Sequence, residues 1–160
     1  MFNHAHGHKL CFPFSEKSTI CDRDGYNLSA MPSLLSIAFV ALGGALGSVS
    51  RYLLGTWIQS VSQSVDFPFG TLSVNLIGCF VIGLLSQLAE TRGVFTPEMR
   101  GLVFIGVLGG FTTFSSFGND TLNLLRDGET VNALLNVGAN VILGLALVWL
   151  GRTVAVWIWN

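Results

Sequence analysis

The sequence predicts an all-α membrane protein with four transmembrane helices, the third broken at mid-membrane. Three observations carry that reading. Of 160 residues, 51% are hydrophobic and only 11% charged, against about 25% charge in a typical soluble domain; mean hydropathy is +0.62. Four apolar runs, residues 34–54, 70–88, 102–125 and 131–150, are each about 19–24 residues long, enough at 1.5 Å per residue to cross a hydrocarbon core about 30 Å thick. The third run contains Gly109-Gly110-Phe111-Thr112-Thr113-Phe114-Ser115-Ser116-Phe117, a poor sequence for an unbroken helix. Backbone cannot stay unpaired against lipid, so a broken helix there must line a bound ion, a water-filled cavity or another protein surface.

Composition also excludes classes of function. A net charge of −1 argues against a nucleic-acid partner, which would demand a basic face. The cysteines Cys11, Cys21 and Cys79 show no zinc-like pairing, and Cys79, inside the second run, reads as a small packing residue. None of the histidines falls in a span and no nucleophile–base pair is present there, so no enzyme is expected. Residues 1–30 read as an N-terminal extension, disordered or outside the working protein, and residues 31–160 as a four-span domain. Within the extension, His4, His6 and His8 with Cys11 and Cys21 could form a metal-binding arm; the simpler reading is adopted because Met31 is followed at once by the first span. No secretory signal pattern precedes it.

Four spans place both termini and the second loop on one face. Counted from Met31, that face carries Arg92, Arg100 and Arg152, and the other carries Arg51 and Arg126. So small a bias barely selects an orientation, and a chain starting at Met31 is expected to insert both ways round.

The first span holds Gly43-Gly44-Ala45-Leu46-Gly47-Ser48, whose Gly43…Gly47 spacing allows another helix to approach closely. Arg51 is expected one turn from its end, either snorkelling to the interface or forming a vestibule charge that attracts anions. The loop of residues 55–69 has no lysine or arginine. Span two opens at Pro68-Phe69-Gly70-Thr71, with Thr71 or Ser73 expected to cap its amides. Inside it, Asn75 is either an interhelical hydrogen-bonding residue or a pore-lining donor. Span three begins at Thr96-Pro97-Glu98, with proline at the first helical position. Its break frees carbonyls that suit a cation and amides that suit an anion. One break supplies too few carbonyls to replace a hydration shell; two crossing at an axis would suffice, which predicts a dimer. Phe114 and Phe117 share a face, either for packing or, interleaved with Thr113, Ser115 and Ser116, turning positive ring edges toward a small anion. Asp120 could cap, pair with Arg126 or stand at a pore mouth. In span four, Asn132, Asn136, Asn140 and Gly144 recur every four residues and stay on one face, as helix–helix bonds or as a polar track. Trp149, Trp157 and Trp159 suit an interfacial belt.

Taken together and in order, Gly43–Ser48 with Arg51, Gly70-Thr71-Leu72 with Asn75-Leu76-Ile77-Gly78, the run from Gly109 to Phe117, and Asn136 with Asn140 resemble the CrcB/Fluc family of fluoride channels across residues 31–159. The resemblance implies a passive, fluoride-selective channel in the cell (inner) membrane that lowers cytoplasmic fluoride. It further implies an antiparallel dual-topology homodimer with two pores. On this likeness Phe114 and Phe117 match the pore phenylalanines and Asn75 the polar residue facing them. Thr113, Ser116, Asn136 and Asn140 join the anion path, and Arg51 its vestibule. Gly109 and Thr112 match positions whose carbonyls hold a structural sodium ion (Na+). Two positions depart from the pattern: Asp120 stands where many members carry glutamate, and Phe111 occupies a variable apolar position. The competing class is a small dual-topology drug/proton antiporter, which needs a carboxylate in its first span; residues 34–54 have none.

Overall fold

The computed structural model describes residues 33–159, so the extension of residues 1–30, with its histidines and cysteines, lies outside the described residues. Among the described residues there are four helical spans long and apolar enough to cross a membrane: Leu34–Ser62, Phe69–Arg92, Pro97–Arg126 and Thr130–Trp159. All are longer than the apolar runs read from the sequence.

Span one is helix α1 (Leu34–Ser62) and span two is α2 (Phe69–Arg92). The cap expected from Thr71 or Ser73 is absent. Instead Gln59 of α1 reaches across: its Oε1 accepts from the Gly70 N–H at 2.9 Å, while its Nε2 donates to the carbonyls of Ser64 and Phe67 at 2.7 and 3.1 Å. One amide thus satisfies the start of α2 and the loop leading to it, which short hydroxyls inside α2 cannot do. At the other end of α2, Gly93 adopts a left-handed φ of 59°, the C-terminal stop that glycine tolerates.

Span three opens as expected, with Thr96 accepting from the Met99 N–H at 3.3 Å and Pro97 beginning α3 (Pro97–Arg100). A π-helical stretch, Gly101–Leu108, follows, then one turn, α4 (Gly109–Phe111). Thr112 and Thr113 are extended (ψ 154° and 110°) before α5 (Phe114–Arg126) resumes. The third helix is therefore bent at the Gly-Thr break. Span four comprises α6 (Thr130–Gly138), a π-helical stretch Ala139–Leu143 and α7 (Gly144–Trp159). Neither π-helical stretch has a signature in the sequence; such wide turns concentrate at functional positions.

Glycines set the packing. A Cβ on Gly43 would collide with the Leu102 carbonyl, and one on Gly47 with the Val107 carbonyl, so span one lies backbone against backbone on the first half of span three. Spans two and four meet in the same way: a Cβ on Gly83 would strike Val148, and one on Gly151 the Phe80 carbonyl. Dispersion at such short range, rather than water exclusion, is what holds helices together in lipid. Beyond this contact, Arg152 pairs with Glu90, the one ion pair found among the described residues.

Candidate functional site

The break in span three is built by local and distant bonds together. Thr112 stays in register with the first half, its N–H and its hydroxyl both donating to the Leu108 carbonyl at 3.0 Å. Thr113 leaves it. As N-cap of α5, Thr113 accepts at Oγ1 from the Ser116 N–H (3.2 Å) and donates to Ser116 Oγ (3.0 Å). Its backbone is claimed by Asn75 of α2: the Thr113 N–H donates to Asn75 Oδ1 at 2.8 Å, and Asn75 Nδ2 returns a bond to the Thr113 carbonyl at 3.2 Å. In a continuous helix that N–H would serve the Gly109 carbonyl. The side chain of Asn75 therefore clasps the gap, and of its two open readings the interhelical bond is present.

Asn75 also donates to Asn140 Oδ1 at 3.0 Å, and Asn140 Nδ2 donates to both Oδ1 and the carbonyl of Asn136 at 3.0 Å. Asn136 is fully buried and donates to Thr121 Oγ1 at 2.9 Å. Asn132 is turned away to Glu129 Oε2, 3.1 Å distant. Of the asparagine stripe of span four, Asn136 and Asn140 thus face protein, with Gly144 close to Cys79 of α2.

Two cavities converge on Thr113. An open cleft of about 1090 Å³ is lined by Arg51, Thr71, Thr113, Ser116 and Asp120, among others. A smaller cavity of about 360 Å³ is lined by Asn75, Gly109, Thr112, Thr113, Phe114, Phe117 and Asn140, with Cys79 in its wall. Arg51 lies about three turns before the end of α1, not one turn, because that helix continues to Ser62; its side chain is in the cleft wall, away from a helix end. Asp120 shares the cleft and forms no ion pair with Arg126 among the described residues. The rings of Phe114 and Phe117 touch, centroids 5.4 Å apart and planes inclined at 57°. Phe117 is 8% exposed, whereas Phe114 is 83% exposed on the single chain.

Of the residues singled out from the sequence, Asn75, Thr113, Phe114, Phe117 and Asn140 line one cavity together, joined by Gly109 and Thr112, while Thr113, Ser116 and Arg51 line the cleft. Asn136 stands apart: it lines neither cavity and its side chain is spent on hydrogen bonds. Sequence reasoning missed Gln59 and Thr121. Thr121 carried one usable signal, a hydroxyl four residues after Phe117, in position to bond that residue's carbonyl.

Comparison with known proteins agrees with this architecture. A family model described as CrcB-like protein, Camphor Resistance (CrcB), matches residues 38–152. A protein of Methylobacillus flagellatus named fluoride-specific ion channel FluC is 46% identical over 118 residues, covering 74% of this chain and 92% of that protein. Proteins of the same name from Geobacter metallireducens and Parabacteroides distasonis are 45% and 48% identical, each over 74% of this chain and over 94% and 91% of their own length. With residues 38–152 matched in a chain whose described residues form four apolar spans, the protein belongs to the CrcB family.

Proposed function

We propose that this multi-pass membrane protein is a fluoride-selective channel that lets fluoride leave the cell passively. The observation that carries the reading is the clasped break: an extended Thr112-Thr113 pair where two cavities meet, with Phe114 and Phe117 in contact beside it. The names borne by the relatives supply the ion.

Fluoride is small and strongly hydrated, so a selective path must replace water with donors at each step. Arg51 in the open cleft raises the local anion concentration without being buried. Ser116 offers a hydroxyl hydrogen beside Thr113, whose own hydroxyl donates to Ser116 Oγ, and the rings of Phe114 and Phe117 bring weakly positive edges to the smaller cavity. Asn75 and Asn140 line the same cavity, and with their amide hydrogens given to Thr113, Asn140 and Asn136 they hold its wall in place. Several weak contacts in series allow entry and release, whereas one full charge would trap the ion. Asn136 contributes from behind this wall.

A sodium ion held by the Gly109 and Thr112 carbonyls fits the donor set, because the amide that would occupy the Gly109 oxygen is diverted to Asn75. One chain offers few such oxygens and Gly109 is exposed on it, so the reading includes a second copy in antiparallel orientation. The ion would act as a neutralising pin between two helix ends. The near-even arginine count across the loops supports dual insertion. Residues 31–160 constitute the channel domain and residues 1–30 an extension to it.

The test is halide efflux from liposomes holding the purified chain, read with ion-selective electrodes. Fast fluoride efflux with chloride retained is expected. Equal release of both ions, or proton-coupled uptake of a lipophilic cation, would displace the channel reading.

A further inference from the structure

The asparagines form a directed chain, and its direction is set by a single backbone group. The Thr113 N–H can only donate, so Asn75 must present Oδ1 to it (2.8 Å), which points Asn75 Nδ2 at Asn140 Oδ1 (3.0 Å). Asn140 then has only its Nδ2 to offer Asn136 Oδ1 (3.0 Å), and Asn136 in turn only its Nδ2 to offer Thr121 Oγ1 (2.9 Å). The Phe117 carbonyl can only accept, so the Thr121 hydroxyl hydrogen goes to it at 2.8 Å, leaving the hydroxyl oxygen to accept from Asn136. The chain begins at the residue before the first turn of α5 and ends on the last residue of that turn. That turn is the one that carries both phenyl rings.

Resting on the pore reading above, we propose that Thr121 and Asn136 are positioning residues: they line neither cavity, yet they fix Phe117 relative to Phe114 by closing a hydrogen-bonded loop from Asn75 through span four. A threonine bonding back to the carbonyl one turn earlier bends a helix slightly, and here Asn136, 0% exposed, holds that threonine in a single rotamer. Every member has its partner, which is the condition under which a buried polar network confers rigidity.

The experiment compares the full-length wild type with Thr121→Val, Thr121→Ser, Asn136→Ala and the Thr121→Val/Asn136→Ala double variant in fluoride efflux. It is paired with hydrogen–deuterium exchange of the peptide covering residues 113–121. Loss of one buried bond predicts about a fivefold drop in flux for Thr121→Val, with a higher fluoride concentration for half-maximal rate. Partial unfolding would lower the maximal rate alone. Thr121→Ser keeps the hydroxyl and restores flux, and the double variant is no worse than Thr121→Val, since contacts in one network are not additive. Exchange across 113–121 accelerates in Thr121→Val and in Asn136→Ala. Wild-type flux in Thr121→Val, equal impairment in Thr121→Ser, or multiplying losses would overturn the assignment. If Thr121→Val does not purify, Asn136→Ala decides the same question. A wild type without fluoride flux would defeat the channel reading, and the exchange data would still decide the relay: unchanged protection in both variants refutes it.

Discussion

The two halves of span three are held by opposite means. The first half, up to Phe111, lies against span one through glycines on both sides: Gly106 nearly touches Gly43, and Gly110 nearly touches the Gly44 carbonyl. The second half, α5, buries only Phe117 and Leu124 and is held by polar side chains, namely Asn75 at its start and Asn136 through Thr121 one turn on. Steric fit fixes the first half within a narrow tolerance. Hydrogen bonds fix the second half by direction, and they can be removed singly while leaving the helices in place. A frame held by steric fit therefore carries a segment held by hydrogen bonds, and Phe114 and Phe117 are on that segment.

This contrast predicts an order of effects. Gly47→Ala should be the most damaging change, because its Cβ meets the Val107 backbone, which cannot move without shifting a whole helix. Forced overpacking costs about 1–3 kcal/mol or more, and the yield of monodisperse protein on size exclusion should collapse; a normal profile would break the comparison. Asn75→Ala strips partners from the Thr113 N–H and carbonyl and from Asn140. At about 1–3 kcal/mol for each buried group left unmet, thermal stability should fall and flux should be lost, with the protein still purifying as an assembled species. Phe117→Ile and Phe114→Ile should each cut flux without dispersing the assembly. Phe117→Ile should also lower the melting temperature measurably, since that ring is buried, and Phe114→Ile should not, since its ring is exposed on the single chain; equal melting shifts would contradict the distinction. The smallest effect belongs to topology: a reporter fused after Trp159 on a chain starting at Met31 should be found on both sides of the membrane, and uniform orientation would refute dual insertion.

What the sequence disclosed follows the same division. Span number, the Thr96-Pro97 start, the Gly43…Gly47 contact and the site of the break are encoded in neighbouring residues, so they could be read directly. The partner that makes the break stable, Asn75, is 38 residues from Thr113. Its identity as an amide was visible, but which backbone it serves depends on how spans two and three cross. Gln59 was overlooked because its role as a cap is played across a loop onto another helix. Gly83 lies singly inside an apolar run and Gly151 just past the end of another, and they form a pair only once spans two and four are in contact. The four-residue spacing puts Asn136 and Asn140 on one face, yet it does not reveal that Asn132 turns to Glu129 or that Asn136 is buried behind the cavity wall. The π-helical stretches, residues 101–108 and 139–143, have no local residue pattern that announces them.

The most direct measurement is fluoride efflux from liposomes containing a Thr112→Ala/Thr113→Ala variant, which removes the N-cap hydroxyl and favours an uninterrupted helix in span three. The variant is expected to remain an assembled four-span protein with fluoride efflux reduced to the level of empty liposomes. Efflux at the wild-type rate would contradict the claim that the break in span three is where the ion is handled.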